Sequence, residues 1–501
     1  MTTETTTTVS PVELTSYELY VDGSWIPSHS GQTYDTTNPF DGTPWARVPE
    51  GDDVDVDRAV AAATAAQEGE WGSFTGFERA TLMRRLATIL ERDAGELAQL
   101  ETRDNGKLIR ETSAQTKALA QWLNYFAGIA DKLEGEVIPS DRSNFLIYTR
   151  HEPVGVVAAI VPWNSPLSLL MWKLAPLWAA GCTVVVKPSG YTPVTALELA
   201  KRVHEAGFPA GVFNVLTSSG SSVGKALVAH HGVKQVAFTG SPEVGVKIAQ
   251  SAAEHFARSL LELGGKSAQI VFADADLDEA VNGLIAGIFA ASGQTCVAGS
   301  RLIVHRSIYD ELLKRLAARV RTIKLGDPLA PETEMGPLAN QAQLATVSGF
   351  VDRAVSDGAS VLVGGKSDPE RGGLFYQPTI LTDVTPEMEV AQLEIFGPVL
   401  STMVFDDEAE AIRMANATVF GLAAGVWTTD IRKGHRVAHA VRAGNVWVNS
   451  YRVVAPNVPF GGSGASGWGR ESGIDSVKEY TVTKAIWIEL SGETRDPFRL
   501  G

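Results

Sequence analysis

The chain has 501 residues, 44% of them hydrophobic, and 43 Lys plus Arg against 58 Asp plus Glu leave a formal net charge of −15. That length exceeds the size at which one core keeps growing, so two or three domains are expected, and the negative balance speaks against a nucleic-acid-binding surface or an anchor for anionic membranes. No uninterrupted apolar run is long enough to span a bilayer, and the stretch Met1-Thr2-Thr3-Glu4-Thr5-Thr6-Thr7-Thr8 has neither a basic nor an apolar segment, so it reads as a disordered tail rather than a signal peptide.

In chain order, the first element is a strand pair around Tyr20-Val21-Asp22-Gly23-Ser24-Trp25, with Asp22-Gly23 as its hairpin turn. Helical periodicity follows over about 54–69, 77–104 and 113–135. The period then changes. Val154 to Val161 is a continuous apolar run that stops at Pro162, as suits a strand buried on both faces of a parallel sheet. After it come a helix at about 166–180, a strand at Thr183-Val184-Val185-Val186-Lys187, a helix at 193–206, a strand at Phe213-Asn214-Val215-Leu216, a helix at 221–230 and a strand at Gln235-Val236-Ala237-Phe238. This βαβα alternation predicts a doubly wound α/β sheet, in which ligands bind beyond the carboxyl ends of the strands. A second alternating block from Leu263 to about 463, with strands such as Arg301-Leu302-Ile303-Val304 and Gly425-Val426-Trp427-Thr428, predicts a second α/β domain. The segments 136–152 and 476–490 fit neither sheet. They alternate like strands and would leave an apolar edge that needs a partner.

The residues that carry chemistry fall at predicted strand ends. Asn164, in Pro162-Trp163-Asn164, can donate to a developing oxyanion without changing its protonation state, and equally can cap the helix that begins at Ser165-Pro166. Lys187 and Ser189, in Lys187-Pro188-Ser189, suit ribose and phosphate oxygens. In Phe238-Thr239-Gly240-Ser241-Pro242-Glu243-Val244-Gly245 a strand, a glycine turn and a helix start form an anion site. Glu262 stands before Leu263-Gly264-Gly265-Lys266, where the two glycines allow close approach of a ligand. Cys296, in Ser292-Gly293-Gln294-Thr295-Cys296-Val297, is one of only two cysteines, so no disulfide framework is expected and a cytoplasmic setting with reduced thiols is. Its small, polar neighbours suit a reachable nucleophile. The other, Cys182, lies at a helix-to-strand turn with no base nearby in sequence and reads as a packed structural residue.

Together these motifs resemble the NAD(P)-dependent aldehyde dehydrogenase superfamily, from about Tyr20 to Val482 and in the family's order. Pro162-Trp163-Asn164 resembles the oxyanion-holding segment, Glu262-Leu263-Gly264-Gly265-Lys266-Ser267 the general-base segment, and Gly293-Gln294-Thr295-Cys296 the nucleophile loop. Glu394-Ile395-Phe396-Gly397-Pro398-Val399 is similar to the segment that holds the nicotinamide ribose, and Pro459-Phe460-Gly461-Gly462 with Gly469-Arg470-Glu471 to the C-terminal signature. The resemblance implies a Rossmann-like cofactor domain (1–135 and 153–262), a catalytic domain (263–463) and oligomerisation segments (136–152 and 476–497), in a homodimer or homotetramer. It also implies a cofactor, NAD or NADP, held by Pro162, Trp163, Lys187, Ser189, Phe238, Gly240, Ser241, Val244, Leu263, Glu394 and Phe396, and a small-molecule aldehyde as partner.

The residues support a reaction in which the Cys296 thiolate attacks an aldehyde, Asn164 and the Cys296 backbone N–H hold the oxyanion, and a thioester left by hydride loss is hydrolysed with Glu262 as base. Lys173 and Glu471 resemble positions that pass protons to or from Glu262, and an ordinary structural ion pair accounts for them equally well. Members of the family that transfer the acyl group to coenzyme A tend to lack this base, so a free acid is expected. Two departures bear on specificity. Gly190 stands where many NAD-preferring members carry Glu, which removes a group that repels a 2′-phosphate and suggests that NADP is tolerated. The pocket positions Ser165 and Val454 are small, whereas Trp172, Thr295, Val297 and Phe460 would complete the walls and Arg452 could meet a substrate carboxylate. A medium-sized aromatic or aliphatic aldehyde is expected, with a semialdehyde as the alternative. A cofactor-independent esterase and a catalytically silent scaffold are the readings from other classes.

Overall fold

The computed structural model describes residues 14–493 and 496–498, so the Thr-rich N-terminal stretch lies outside the described residues. Its centre is an eight-stranded sheet in the order Gly467–Trp468, Arg258–Glu262, Gln235–Thr239, Val156–Ile160, Thr183–Lys187, Phe213–Val215, Leu19–Val21 and Ser24–Ile26. The five strands from Arg258–Glu262 to Phe213–Val215 run parallel, and antiparallel strands close both ends. Helices cover both faces, which is why Thr183–Lys187 and Gln235–Thr239 are buried at every position and why their sequences do not alternate.

Register, more than strand order, assembles the site. Ile160 lies beside Lys187 and Phe238, and Thr239 beside Glu262. Four strand ends from separate stretches of chain therefore form one row, and the loops that leave them carry Asn164, Ser189, Ser241 and Gly264. A second sheet has seven strands in the order Ser360–Val363, Thr379–Thr382, Val399–Phe405, Arg301–His305, Ala268–Val271, Ala423–Trp427 and Asn445–Val448. Only Ser360–Val363 pairs antiparallel. The fold is thus the expected pair of doubly wound α/β layers.

Two expectations are refined. The helix expected over 113–135 runs Ile109–Ala127 and stops before Gly128. Residues beyond it form tight turns, with Ile129 donating to Phe126 and Lys132 to Ile129. The start of helix Gly76–Asn105 lies so close to this turn that a Cβ at Gly76 would meet the Ala130 carbonyl oxygen at 2.1 Å, so the chain bends where a continuing helix would collide. The two strand-like segments without a sheet pair with each other. Phe145–Pro153 runs antiparallel to Thr481–Glu489 along its whole length, and Val137–Ile138 adds a short third strand. Thr481–Glu489 is the outer strand of this sheet, and Val482, Trp487 and Ile488 on it are exposed.

No helix among the described residues is long and apolar enough to cross a membrane. The helix Pro166–Ala180, which leads away from Asn164, is buried along nearly its whole length, with Trp178 packed on Phe208 and Phe213. Trp178 is fully buried, so Trp178→Ala should destabilise the protein by about 3–5 kcal/mol. Chemical denaturation followed by circular dichroism checks this, and a midpoint equal to that of the parent would contradict the packing described.

Candidate active site

Asn164 does not cap the helix that follows it. The N-cap is Ser165, which makes no capping bond, whereas Asn164 Nδ2 donates to the Gln294 carbonyl at 2.9 Å, 130 residues away. One of its two amide hydrogens is thereby spent on the loop that carries Cys296, and the second remains for a ligand. The loop has an uncommon backbone: Ala291 and Ser292 have φ of 52° and 55°, and Gly293 follows at 71°. Each non-glycine residue in that region costs on the order of 1–3 kcal/mol unless its surroundings hold it there. Here they do. Glu111 Oε1 accepts from the Ala291 N–H at 2.8 Å, Ser292 Oγ donates to Gly336 O at 2.8 Å, and Gln294 Oε1 accepts from the Ala339 N–H at 2.9 Å. A Cβ on Gly293 would fall 2.1 Å from the Gly397 carbonyl oxygen, so no other residue fits. Beyond the cysteine, the Tyr451 hydroxyl donates to Val297 O at 2.8 Å.

Cys296 is partly exposed, whereas Cys182 is buried and donates to the Tyr480 carbonyl, as a packed residue does. Desolvation, then the nearby carboxyls of Glu394 and Glu262, push the Cys296 thiol up to about 12. At neutral pH it therefore carries its proton and needs a base to become a nucleophile. The Thr295 hydroxyl beside it is buried without a partner.

Glu262 ends its strand at 3% exposure, and neither carboxyl oxygen has a hydrogen-bond partner. A Cβ on Gly461 would lie 2.6 Å from Oε1, so the glycine makes room for the carboxyl. Behind it, the fully buried Lys173 donates to Thr239 Oγ1 at 2.7 Å and forms an ion pair with Glu471. Glu471 is held in turn by two backbone bonds to Phe460. Burial first, and then the charge of Glu471, raise the Glu262 pKa well above the usual carboxylate range, while Lys173 and Arg470 oppose them. The glycines after Glu262 serve a purpose other than the one expected. A Cβ on Gly264 would meet Glu394 Oε2 at 2.0 Å and one on Gly265 would meet the Cys296 carbonyl oxygen at 2.6 Å, so these glycines admit neighbouring protein groups.

Most of the expected cofactor residues line one cleft of about 1050 Å³, at the upper end of ordinary ligand pockets. Pro162, Trp163, Lys187, Ser189, Gly190, Phe238, Gly240, Ser241 and Val244 all contribute to its wall. Lys187 Nζ donates to Gly220 O at 3.2 Å, and burial lowers its pKa to about 8 against the pull of Glu50. Ser241 caps the helix Pro242–Ala253 by accepting from the Val244 N–H, which leaves that helix start at the cleft. Leu263 is buried and packs on Gly245. Phe396 stands edge-on to Trp163, and Glu394 Oε1 accepts from the Gly265 N–H at 3.0 Å. Gln343, which the motifs did not single out, holds the Ile395 and Phe396 carbonyls at 2.9 Å.

A separate cavity of about 360 Å³ is lined by Trp172, Trp447, Val453, Val454, Val458, Phe460 and their neighbours, with no charged side chain. Cys296 and Val297 pack on the same cluster as Trp172, Trp447 and Phe460. Two expected pocket residues have hydrogen-bond partners within the protein. Ser165 Oγ accepts from Lys107 Nζ at 2.9 Å, and Arg452 Nη1 donates to the Ala286 carbonyl at 2.8 Å. Trp447 and Tyr451 escaped the sequence reading, because no local motif marks a side chain that reaches the site from a distant strand.

Known proteins share this fold and much of this sequence. A sequence profile of the aldehyde dehydrogenase family matches residues 25–486. The (Z)-2-((N-methylformamido)methylene)-5-hydroxybutyrolactone dehydrogenase of Acinetobacter baylyi is 47% identical over 485 residues, which are 96% of this chain and 99% of that protein. The structure of betaine aldehyde dehydrogenase from Staphylococcus aureus in complex with NAD+ aligns with a TM-score of 0.95 at 39% identity and covers 97% of each chain. The NAD+ complex of an aldehyde dehydrogenase from Bacillus cereus aligns with a TM-score of 0.93 at 42% identity, over 95% of this chain and 97% of that one. With the profile matching nearly its whole length, this chain belongs to the aldehyde dehydrogenase family.

Proposed function

We propose that this enzyme oxidises a medium-sized, uncharged aromatic or aliphatic aldehyde to the free carboxylic acid with reduction of NAD(P). The observation that carries this reading is Cys296, packed on the cluster of Phe460, Trp172 and Trp447 that also lines the 360 Å³ cavity, and under the influence of Glu394 and Glu262. The sulfur passes its proton to the Glu262 carboxylate and attacks the aldehyde carbon. The free Nδ2 hydrogen of Asn164, with the Cys296 backbone N–H, stabilises the alkoxide of the thiohemiacetal. The cleft fits a nicotinamide dinucleotide, for Lys187 and Ser189 stand at one part of its wall and a capped helix start at another. When bound, that cofactor accepts the hydride, and the carbon is left as a thioester on Cys296. Glu262 then removes a proton from water, the hydroxide attacks, and the acid leaves as the thiol is restored. Lys173 and Glu471 adjoin this base, so a proton taken by Glu262 has a charged path away from the sulfur.

The walls of the 360 Å³ cavity favour the uncharged aldehyde over a semialdehyde, because Arg452 is bonded to a helix carbonyl and lies outside the lining. An esterase without cofactor would have no use for the large cleft. For domains, we propose 1–135 and 153–262 for cofactor binding, 263–463 for catalysis, and 136–152 with 476–497 for oligomerisation.

Glu262→Gln should lower steady-state turnover by about 10²- to 10⁴-fold, while a burst of reduced cofactor keeps its amplitude, because thioester hydrolysis becomes limiting. Unchanged turnover would reject Glu262 as the base. The raised pKa of Glu262 means that the proton is held to higher pH, so turnover should fall with falling pH through a limb above the usual carboxylate range. In the Gln variant that limb should be absent from the pH profile.

At the other end of the cleft, a Cβ on Gly190 would meet the Ser219 carbonyl oxygen at 2.6 Å and that of Ser218 at 2.8 Å. No carboxylate can stand there to repel a 2′-phosphate. The ratio of kcat/KM for NAD to that for NADP should therefore lie within about tenfold, one such factor being about 1.4 kcal/mol. A preference for NAD of a thousandfold or more would overturn this reading.

The exposed strand Thr481–Glu489 supports assembly into a homodimer or homotetramer. Trp487→Glu should reduce the mass measured by light scattering, and an unchanged mass would place the interface elsewhere.

A further inference from the structure

Beyond the expected catalytic groups, a bracket of buried polar side chains ties the two halves of the site together. It springs from the elbow between helices Gly76–Asn105 and Ile109–Ala127. Lys107 and Glu111 sit on this elbow, four residues apart. Lys107, only 4% exposed, sends Nζ to Ser165 Oγ at 2.9 Å and Gln115 Oε1 at 2.6 Å. Asn105 accepts from the Lys107 backbone N–H at 3.0 Å and reaches the Asn164 carbonyl at 3.5 Å. Glu111 Oε1 takes the Ala291 N–H at 2.8 Å, and its other oxygen is buried without a partner. Because Asn164 also donates to Gln294, the contacts close a ring that runs from Asn164 through the nucleophile loop to Glu111, along the elbow to Lys107, and back through Ser165.

The elbow is itself closely packed. Gly106 has φ of 77°, and a Cβ there would meet Pro337 at 2.9 Å. A Cβ on the adjoining Gly336 would meet the Gly106 carbonyl oxygen at 2.4 Å, and the Gly336 carbonyl is the acceptor of Ser292 Oγ. The first left-handed residue of the nucleophile loop and the residue after the oxyanion donor are thus both fastened to one turn of chain. Neither Glu111 nor Lys107 lines the apolar cavity or the cofactor cleft.

We infer that Glu111 and Lys107 are positioning residues that set the Cys296 loop against Asn164, so that the oxyanion donors meet the carbonyl oxygen only as the carbon–sulfur bond forms. The inference rests on the proposed roles of Cys296 and Asn164. Its physical basis is that an oxyanion donor displaced by about 1 Å costs on the order of 100-fold in rate. The bond from Glu111 holds a backbone that Ala291 and Ser292 would not keep unaided.

The test is stopped-flow measurement of the burst of reduced cofactor in the full-length enzyme, beside the rate at which iodoacetamide alkylates Cys296. Glu111→Ala should slow the burst by roughly 10- to 100-fold with KM for aldehyde and the alkylation rate changed less than about threefold, because alkylation by a small reagent needs an accessible thiol but no oxyanion donor, whereas attack on the aldehyde needs both. Glu111→Gln, whose amide oxygen can still accept from Ala291, should restore most of the burst rate. If Glu111→Ala does not fold, Lys107→Met tests the other arm of the bracket and should slow the burst in the same selective way. A burst within threefold of the parent in Glu111→Ala, or in Lys107→Met where that variant is the one measured, overturns the inference. So does a Gln variant as slow as Ala, or a parallel loss of alkylation. Cys296→Ala is the control: a surviving burst there would instead overturn the reading of Cys296 as nucleophile.

Discussion

One buried cation for two buried carboxyls is the constraint around which the site is built. Lys173 pairs with Glu471, and Glu262 is left beside them without a hydrogen bond of its own. Burying a charge without a partner is costly, so Glu262 resists ionisation and its proton affinity rises. A carboxyl in a polar, solvated setting would be a weaker base. Desolvation likewise raises the Cys296 thiol, so the carboxyl and the thiol are both held away from their solution behaviour by the protein around them.

Such an environment has to be enclosed without filling the space that the reacting groups need. Glycines do much of this work. Gly461 yields to Glu262, Gly264 to Glu394, Gly265 to the Cys296 carbonyl and Gly293 to Gly397. At each position a methyl group would overlap a neighbouring atom, so the loops interlock at backbone distance. The left-handed run before Cys296 is the price of this packing, and it persists because the Glu111 carboxyl takes the Ala291 N–H and the loop's own Ser292 and Gln294 side chains bond to the Gly336 and Ala339 backbone.

The two cavities differ in their walls. The cleft at the strand ends combines Lys187, Ser189 and a helix start with the aromatic faces of Trp163 and Phe238. The smaller cavity is walled by Trp172, Trp447, Phe460 and aliphatic side chains, and the stacking of Trp172 on Trp122 fixes that wall from behind. An apolar wall selects by shape and size, which is a coarse filter, since a methylene is worth only about 1–3 kcal/mol in such a pocket.

By itself the sequence determined the strands, because a parallel sheet covered on both faces needs unbroken apolar runs such as Thr183–Lys187. It singled out Asn164, Glu262 and Cys296 as well, since each stands in a local motif. Only the tertiary structure decided which of their possible partners these groups take. Asn164 had a helix cap within reach along the chain and instead bonds to Gln294. Ser165 accepts from Lys107, and Arg452 donates to a carbonyl of the helix Leu277–Ile288, contacts that neither local motif announces. The strand-like segments near residues 145 and 485 supplied each other's missing edge. In every case the deciding contact joins residues more than 50 positions apart, and sheet register and loop packing, which bring them together, leave no mark on either segment alone.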